Sequence, residues 1–426
     1  MDAWTRFTFT LICVVALALM PVSALALSVA DFGAVGDGQT DNTAAFSKAL
    51  AQAGQNGDIV QVPAGQYVIR GTLSVPDGVT LEGIWRGQHT SQLDKGSTLL
   101  AYSGRGAEDS TPFIRLGTAS CLKGVTIFYP EQKIEAIQPY PWTIQGRGQH
   151  YNVIDVVISN AFNGIDCGTF HNEGHHLRNV LMCAVRRGVY IDYTTDIGRL
   201  ENVHIHNVYW WRVSAPYKPT EEQVKQLEAY TRANLEGFII GRTDWEYISN
   251  CLVIWARIGF HFISGETGQA NALITQSGSD LGPVAVKVDR VQDHAGTIFE
   301  NCQFMSGFEI GPDNKGPIKL TTCGFWGKAG AGSQMVLGGK GTVTLTATHF
   351  HKWDQEGQGK ACIQALDGSL ILNGCEFMGE GIAAPHLLLG EELQSAVILG
   401  NRFTHGKMRI ENNSQGDVQI LGNVEQ

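Results

Sequence analysis

An asparagine-centred repeat constrains this chain more than any other feature. Glu173-Gly-His-His-Leu-Arg-Asn179-Val-Leu-Met and Asp196-Ile-Gly-Arg-Leu-Glu-Asn202-Val-His-Ile share an acid, an apolar residue four on, an asparagine two further, and then apolar-x-apolar. Asp244-Trp-Glu-Tyr-Ile-Ser-Asn250-Cys-Leu-Val is a third copy. The first interval matches one coil of a β-solenoid, and the second matches one coil plus an insertion. Such a period is read before secondary structure, because each repeat buries its apolar face only against its neighbours.

The asparagine position continues along the chain as Gly124, Asp155, Asn179, Asn202, Asn250, Asn271, Asn301, Thr322, Ala347, Gly374 and Gly400. Most of these are Asn, Asp or Gly, which tolerate a left-handed backbone. Two residues earlier lie Leu122, Val153, Leu177, Leu200, Ile248, Phe299, Leu320, Leu345, Leu372 and Ile398, with Gln269 the exception. Three residues later lie Ile127, Ile158, Met182, Ile205, Val253 and Ile274, then Phe304, Phe325, Phe350, Phe377 and Phe403. A strand alternates its faces with period two, so apolar residues on both sides of the asparagine mean a one-residue bend. Strand, bend, strand predicts an all-β, single-stranded right-handed parallel β-helix of about 11–12 coils, with an aromatic stack toward the C-terminus.

Other segments decorate this solenoid. Arg6, the apolar run from Phe7 to Met20 and Ala24-Leu25-Ala26 read as a secretory signal over residues 1–26, cleaved near Ala26. The expected location is secreted or periplasmic, with no membrane contact after cleavage. Residues 27–426 form a single β-helix domain, with an N-terminal cap and first coils over 27–121 and regular coils over 122–426. A capping helix is expected from Asn42 to about Ala53, its apolar face including Ala45, Phe46, Ala49 and Leu50. Residues 213–237 form a helical insertion, where Thr220-Glu-Glu-Gln223 is a capping box and Val224 to Asn234 the helix. The net charge of −10, with no run of Lys or Arg, argues against a nucleic-acid partner. Cys251, Cys302, Cys323 and Cys375 share one repeat position, so a stacked, reduced ladder competes with disulfides.

Asp31-Phe-Gly-Ala-Val-Gly-Asp37-Gly-Gln-Thr-Asp41-Asn-Thr-Ala-Ala-Phe46, followed by Val62-Pro-Ala-Gly65-Gln-Tyr, resembles the pectate-lyase superfamily. Within it, the likeness is to the rhamnogalacturonase/epimerase-like β-helix group related to polygalacturonases. Tyr129-Pro-Glu-Gln132 and Tyr140-Pro-Trp-Thr-Ile144 extend the resemblance, which covers about residues 28–260. Hydrolases, lyases, epimerases and phage tailspikes share that fold, so it implies a carbohydrate-active secreted protein without an activity. The Asn-Thr-Asp, Asp-Asp, Gly-His-Gly and Arg-Ile-Lys motifs of polygalacturonases are missing, as is the Arg-x-Pro-x-x-Arg segment of pectate lyases. No catalytic residue carries over.

The leading acids of the three copies supply the candidate chemistry. If the coils are consecutive, Glu173, Asp196 and Asp244 stack about 4.8 Å apart, and two charges at about 5 Å repel by roughly 3 kcal/mol at an effective dielectric near 20. Compensation could come from Arg199, a cation, or a proton on Asp196. One protonated and one ionised carboxylate are what glycoside hydrolysis uses. The alternative is that these acids cap turns or pair with surface arginines. Trp210, Trp211, Trp245, Trp142 and Tyr129 offer flat faces to a sugar, although alternate aromatics in the Tyr209-Trp210-Trp211 run would point inward. His204 and Arg242 lie close to the acids. Asp166, Tyr190 and His261 recur eleven residues past the bend as a second polar line. The expected function is a glycoside hydrolase with a polysaccharide or oligosaccharide partner and no required cofactor. A polysaccharide lyase, for which calcium is possible, and a non-catalytic glycan-binding β-helix are the alternatives.

Overall fold

The computed structural model describes residues 26–85, 92–326 and 332–426. The expected leader up to Leu25 lies outside these residues, as does Cys13. Three parallel ladders run the length of the molecule. The first precedes the asparagine bend and includes Cys121–Lys123 and Thr342–Thr346; the second follows it and includes Val125–Phe128 and Leu252–Ile254. The third closes each coil and includes Trp142–Gly146, Ile258–Phe262 and Ile410–Asn412. The first ladder has fifteen rungs, from Leu27–Ser28 to Asp417–Leu421. This exceeds the expected count because three rungs of two or three residues, Leu27–Ser28, Ile59–Gln61 and Thr80–Glu82, hide in the N-terminal segment. The last coil escapes as well, since Glu425 stands beside Phe403 where a further phenylalanine was the pattern.

The bend residue adopts positive φ at Gly124, Asp155, Asn179, Asn202, Asn250, Asn301, Thr322, Ala347, Gly374 and Gly400. In the coil after Asn250 the expectation fails. Ile248 pairs with Ile274 and Ser249 with Thr275, which puts Gln276 (φ 50°) at the bend and returns Asn271 to the strand. Gln269 is then no exception, because Ile274 fills the inward position. Glutamine is not among the residues that favour this conformation, which is why the neighbouring asparagine misled the register. Bend side chains bond from coil to coil: Asn179 Nδ2 donates to Asp155 Oδ1 (2.8 Å), Asn202 Nδ2 to Asn179 Oδ1 (3.0 Å) and Thr322 Oγ1 to Asn301 Oδ1 (2.6 Å).

Inside, the Leu, Ile and Phe residues two before the bend are buried from Leu122 to Ile398. Phe350, Phe377 and Phe403 stack with centroids 4.9 Å apart and rings within 15° of parallel. The eight cysteines from Cys121 to Cys375 are free thiols, and burial pushes the thiols of Cys121 and Cys375 up to about 11. The reduced-ladder reading therefore describes Cys251, Cys302, Cys323 and Cys375.

Among the described residues, two helices of more than ten residues depart from the wall. Thr43–Ala53 buries Phe46, Ala49, Leu50 and Ala53 against the first coils. Glu221–Asn234 starts at the expected capping box, with Thr220 Oγ1 accepting from Gln223 N. Leu227 and Thr231 fix it to the wall, where Asn207 Nδ2 donates to Thr231 Oγ1 (2.9 Å). Tyr209, Trp210 and Trp211 lie on a separate helical turn, Val208–Trp211, and not on a strand. Among the described residues, no helix is long and apolar enough to cross a membrane.

Candidate functional site

The three leading acids do not form an even stack. Asn172 bridges Thr194, a one-residue slip, so Glu173 sits beside Thr195 and accepts from its Oγ1 (2.6 Å). Asp196 is exposed and its Oδ1 accepts the adjacent Ile197 N–H. A bulge at Trp245 (φ 58°) interrupts the next strand between Thr243 and Glu246. Asp244 there takes Gln292 Nε2 (2.6 Å) and Arg242 Nη2 (3.4 Å). Each acid thus has its own partners, as the turn-capping alternative expected.

The other candidate residues disperse. Arg199 is exposed between His176 and Tyr247 on the first face, and Trp245 is 60% exposed. Tyr129 and Trp210 are core residues. Burial raises the Tyr129 phenol, which donates to Thr143 Oγ1 (3.0 Å). Trp211 packs edge-on against His206 and Trp255, and His204 Nδ1 lies 2.8 Å from Tyr209 Oη. Of these candidates, Trp142 faces the region where polar groups converge, and Arg242 borders it through its N–H to Asp192.

That region is the outer face of the third ladder. Gln145, Asp166, Tyr190, Ile239, His261 and Lys287 are register partners on successive coils. The line of Asp166, Tyr190 and His261 is therefore real, and Ile239 is its member in the coil carrying the insertion. Trp142 and Tyr190 stack at 6.2 Å with a 13° interplanar angle, and the Arg187 guanidinium lies 4.5 Å from the Trp142 ring. Asn163 and Asp166 are wholly buried although they point outward.

Two carboxylates here are committed to structure. Asp166 accepts from Gln145 Nε2 (2.7 Å) and from the N–H groups of Gly168 and Thr169 (2.9 Å each). Asp192 Oδ1 accepts from Tyr193 N, Arg242 N and Thr267 Oγ1, each at 2.7 Å, while its Oδ2 accepts the Tyr190 hydroxyl (2.9 Å). Burial first, and then the Asp192 charge, raise the Tyr190 phenol. On the neighbouring side, Glu108 accepts from Arg187 Nη2 (2.7 Å) and Asn163 Nδ2 (3.1 Å).

A second group spans three coils. His261 Nδ1 is 2.9 Å from Glu236 Oε2, and its Nε2 is 2.9 Å from Asp289 Oδ2. Arg257 pairs with Glu236, and Lys287 Nζ lies 3.0 Å from Asp289 Oδ1. Burial alone would raise the Glu236 carboxyl, but the His261 hydrogen bond and charge, Arg257 and Arg186 hold it below its ordinary value. Asp289 is likewise held low against burial, by Lys287 and His261. Oxygens held at opposite nitrogens of one imidazole lie roughly 8 Å apart at most, with the His261 ring filling the space between them. Glu236 opens the strand directly after the inserted helix, and Asp289 follows a strand end. Sequence reasoning missed Glu236 because the insertion broke the count, and Asp289 because the bend was set at Asn271 instead of Gln276; His261, on the recurring line, was the signal that leads to them. Among the described residues no three His, Cys, Asp or Glu side chains are grouped to hold a metal ion.

Ladders, bend and recessed face together define a right-handed parallel β-helix protein. Residues 26–118, which hold the Asp31–Phe46 motif, match the family model described as rhamnogalacturonase A/epimerase, pectate lyase-like. The crystal structure of the Dettilon tailspike protein (gp208) aligns with a TM-score of 0.51 and 15% identity, over 92% of this chain and 68% of that one. The A-module of mannuronan C-5 epimerase AlgE4 from Azotobacter vinelandii aligns with a TM-score of 0.48 and 13% identity, over 94% and 97%. A non-secreted LysM effector, LysM19, from Penicillium expansum is 42% identical over 57 residues, which are 13% of this chain and 4% of that protein.

Proposed function

We propose that this chain is an exported, carbohydrate-active β-helix protein that holds a polysaccharide along its third face and hydrolyses it at Glu236, His261 and Asp289. The observation carrying the reading is one histidine held between two carboxylates from alternate coils, in a recessed face that also carries the stacked rings of Trp142 and Tyr190. The family description, which names a rhamnogalacturonase, an epimerase and a pectate lyase, supports the carbohydrate part. An N–H proton of His261 goes to the leaving glycosidic oxygen, and one of the two ionised carboxylates takes a proton from the attacking water.

Elimination is the second reading, because Arg187, Arg257 and Lys287 line the same face and could neutralise a uronate carboxylate. Calcium belongs only to that reading, and no step here runs through it. A screen of plant and algal polysaccharides separates the outcomes. New reducing ends without the ultraviolet absorbance of a conjugated double bond mean hydrolysis, the same ends with it mean elimination, and retention without turnover means a binding protein. Export is checked by sequencing the N-terminus of the mature protein, expected near Leu27.

A further inference from the structure

The row containing His261 does not stop at the candidate site. From His261 it passes through Lys287, Glu309, Val336, Gln364 and Leu388 to Glu411, six coil steps in all. At about 4.8 Å per step that is roughly 29 Å. Glu411 there forms part of the lining of a cavity of about 720 Å³, bounded by the loops around Trp353 and Glu380.

Side chains at this cavity differ in kind from those around His261. Gly357, Gly359, Gly381 and Ala383 keep its walls low. Trp353 lines it with its indole packed on His386 (5.2 Å) and edge-on to Phe377, and the buried Nε1–H has no acceptor among the described residues. Asp354 is already used, its two oxygens taking the N–H groups of Gln358 and Gly359 at 2.9 Å each, so it shapes the loop. Glu380 and Glu411 are exposed and stand as acceptors. Its lining supplies one cation, Lys352, and three carboxylates, and the Arg409 guanidinium lies behind it on the carbonyl oxygens of Ile382 and Ala384, so the balance is still negative.

We propose that this cleft is a second glycan-binding site, taking an uncharged, hydroxyl-rich stretch of the chain whose other part lies at His261. Carboxylates accept sugar hydroxyls, the small residues leave room for a ring, and the negative balance repels uronates and sulfated sugars. The direction of the chain rests on the groove reading; the cleft's own chemistry does not.

Affinity electrophoresis of the full chain tests it, with gels containing a neutral glucan, a neutral mannan or a polyuronate. A neutral polymer should retain the protein, and Ala383→Trp, which fills the cleft, should cut that retention at least fivefold. Glu380→Ala/Glu411→Ala should do the same by removing acceptors, and unchanged thermal midpoints show that both variants fold. Turnover of a short oligosaccharide confined to the His261 region should stay at the native level. Retention by the polyuronate alone, by no polymer, or equally by native and cleft variants overturns the proposal. Persistent turnover with inert cleft variants removes the cleft and leaves the groove; sensitive retention without turnover of any polymer does the reverse.

Discussion

The outward rows of the first and third ladders are built from the same strand geometry yet meet solvent differently. On the first, Arg199 and Tyr247 are exposed, as is Lys319 further along. On the third, Asn163, Asp166, Ile239 and His261 point outward and are still buried. The cause is what borders each strand. A one-residue bend follows the first ladder, so nothing can overhang that edge. Both edges of the third carry loops: the Glu108 loop and the inserted helix on one side, and the segments around Asp192 and Thr267 on the other. A recess follows from loop length on a rigid wall, and sites are commonly made that way.

The sharpest way to break this comparison is to neutralise one acid on each side of it. Glu236→Gln should lower turnover of a confirmed substrate by about 10²–10⁴-fold, the usual weight of a positioned proton-transfer group. Asp196→Asn, whose carboxylate is exposed and bonds only its own neighbour, should leave turnover within about twofold of native. The reverse result would return the chemistry to the leading acids.

The scaffold was far more legible than the site, for a physical reason. Bend and core residues recur because every coil must solve the same packing problem, and a recurring residue declares itself in one sequence. Glu173, Asp196 and Asp244 recur too, but local slips at Thr194 and Trp245 separate what equal spacing had joined. Glu236 has Arg187 and Ile258 as its register partners, Asp289 shares its row with Asp192 three coils earlier, and only the folded register brings the two acids to His261. The insertion and the bend set at Asn271 hid that register. Counting again from the end of Glu221–Asn234 places Ile239 between Tyr190 and His261, the step that pattern alone could not justify.

Where the two faces join, a wholly buried pair is expected to dominate stability. His175 Nε2 lies 2.9 Å from Glu246 Oε1, Thr243 Oγ1 donates to Glu246 Oε2 (2.8 Å), and Asn172 Oδ1 is 2.8 Å from His175 Nδ1. Glu246→Leu strands the other members and should cost about 3–5 kcal/mol in urea unfolding. A loss under 1 kcal/mol would mean the loops that recess the third face do not depend on this joint.

A smaller effect is expected at His386, which packs between Trp353 and Phe403. Burial, and then the Arg409 charge, lower it from 6.5 to about 4. The unfolded chain therefore binds the proton more readily, so His386 contributes stability above pH 6.5 that is lost as pH falls toward 4. In His386→Leu that slope should flatten, although the Arg409 N–H then loses its acceptor. An unchanged slope between those pH values would assign the acid sensitivity elsewhere.

The bend offers the finest test, because Ala347, like Thr322 and Gln276, holds a positive φ without being Asn, Asp or Gly. Asn202 bonds Asn179, receives Asn250 Nδ2 at 3.4 Å, and tolerates φ 54°. Asn202→Ala should lose about 1–2 kcal/mol from the bonds and the left-handed strain. Ala347 carries that strain natively at φ 49°, with no side-chain bond possible. Ala347→Asn should therefore gain about 0.5–1 kcal/mol, most of it from relief of strain. If both substitutions leave the urea midpoint unmoved, the bend is held by the stacked core on either side and the choice of asparagine is incidental to stability. Opposite shifts would instead make the side-chain ladder the element that keeps the first two faces at a fixed angle, and so keeps the third face open.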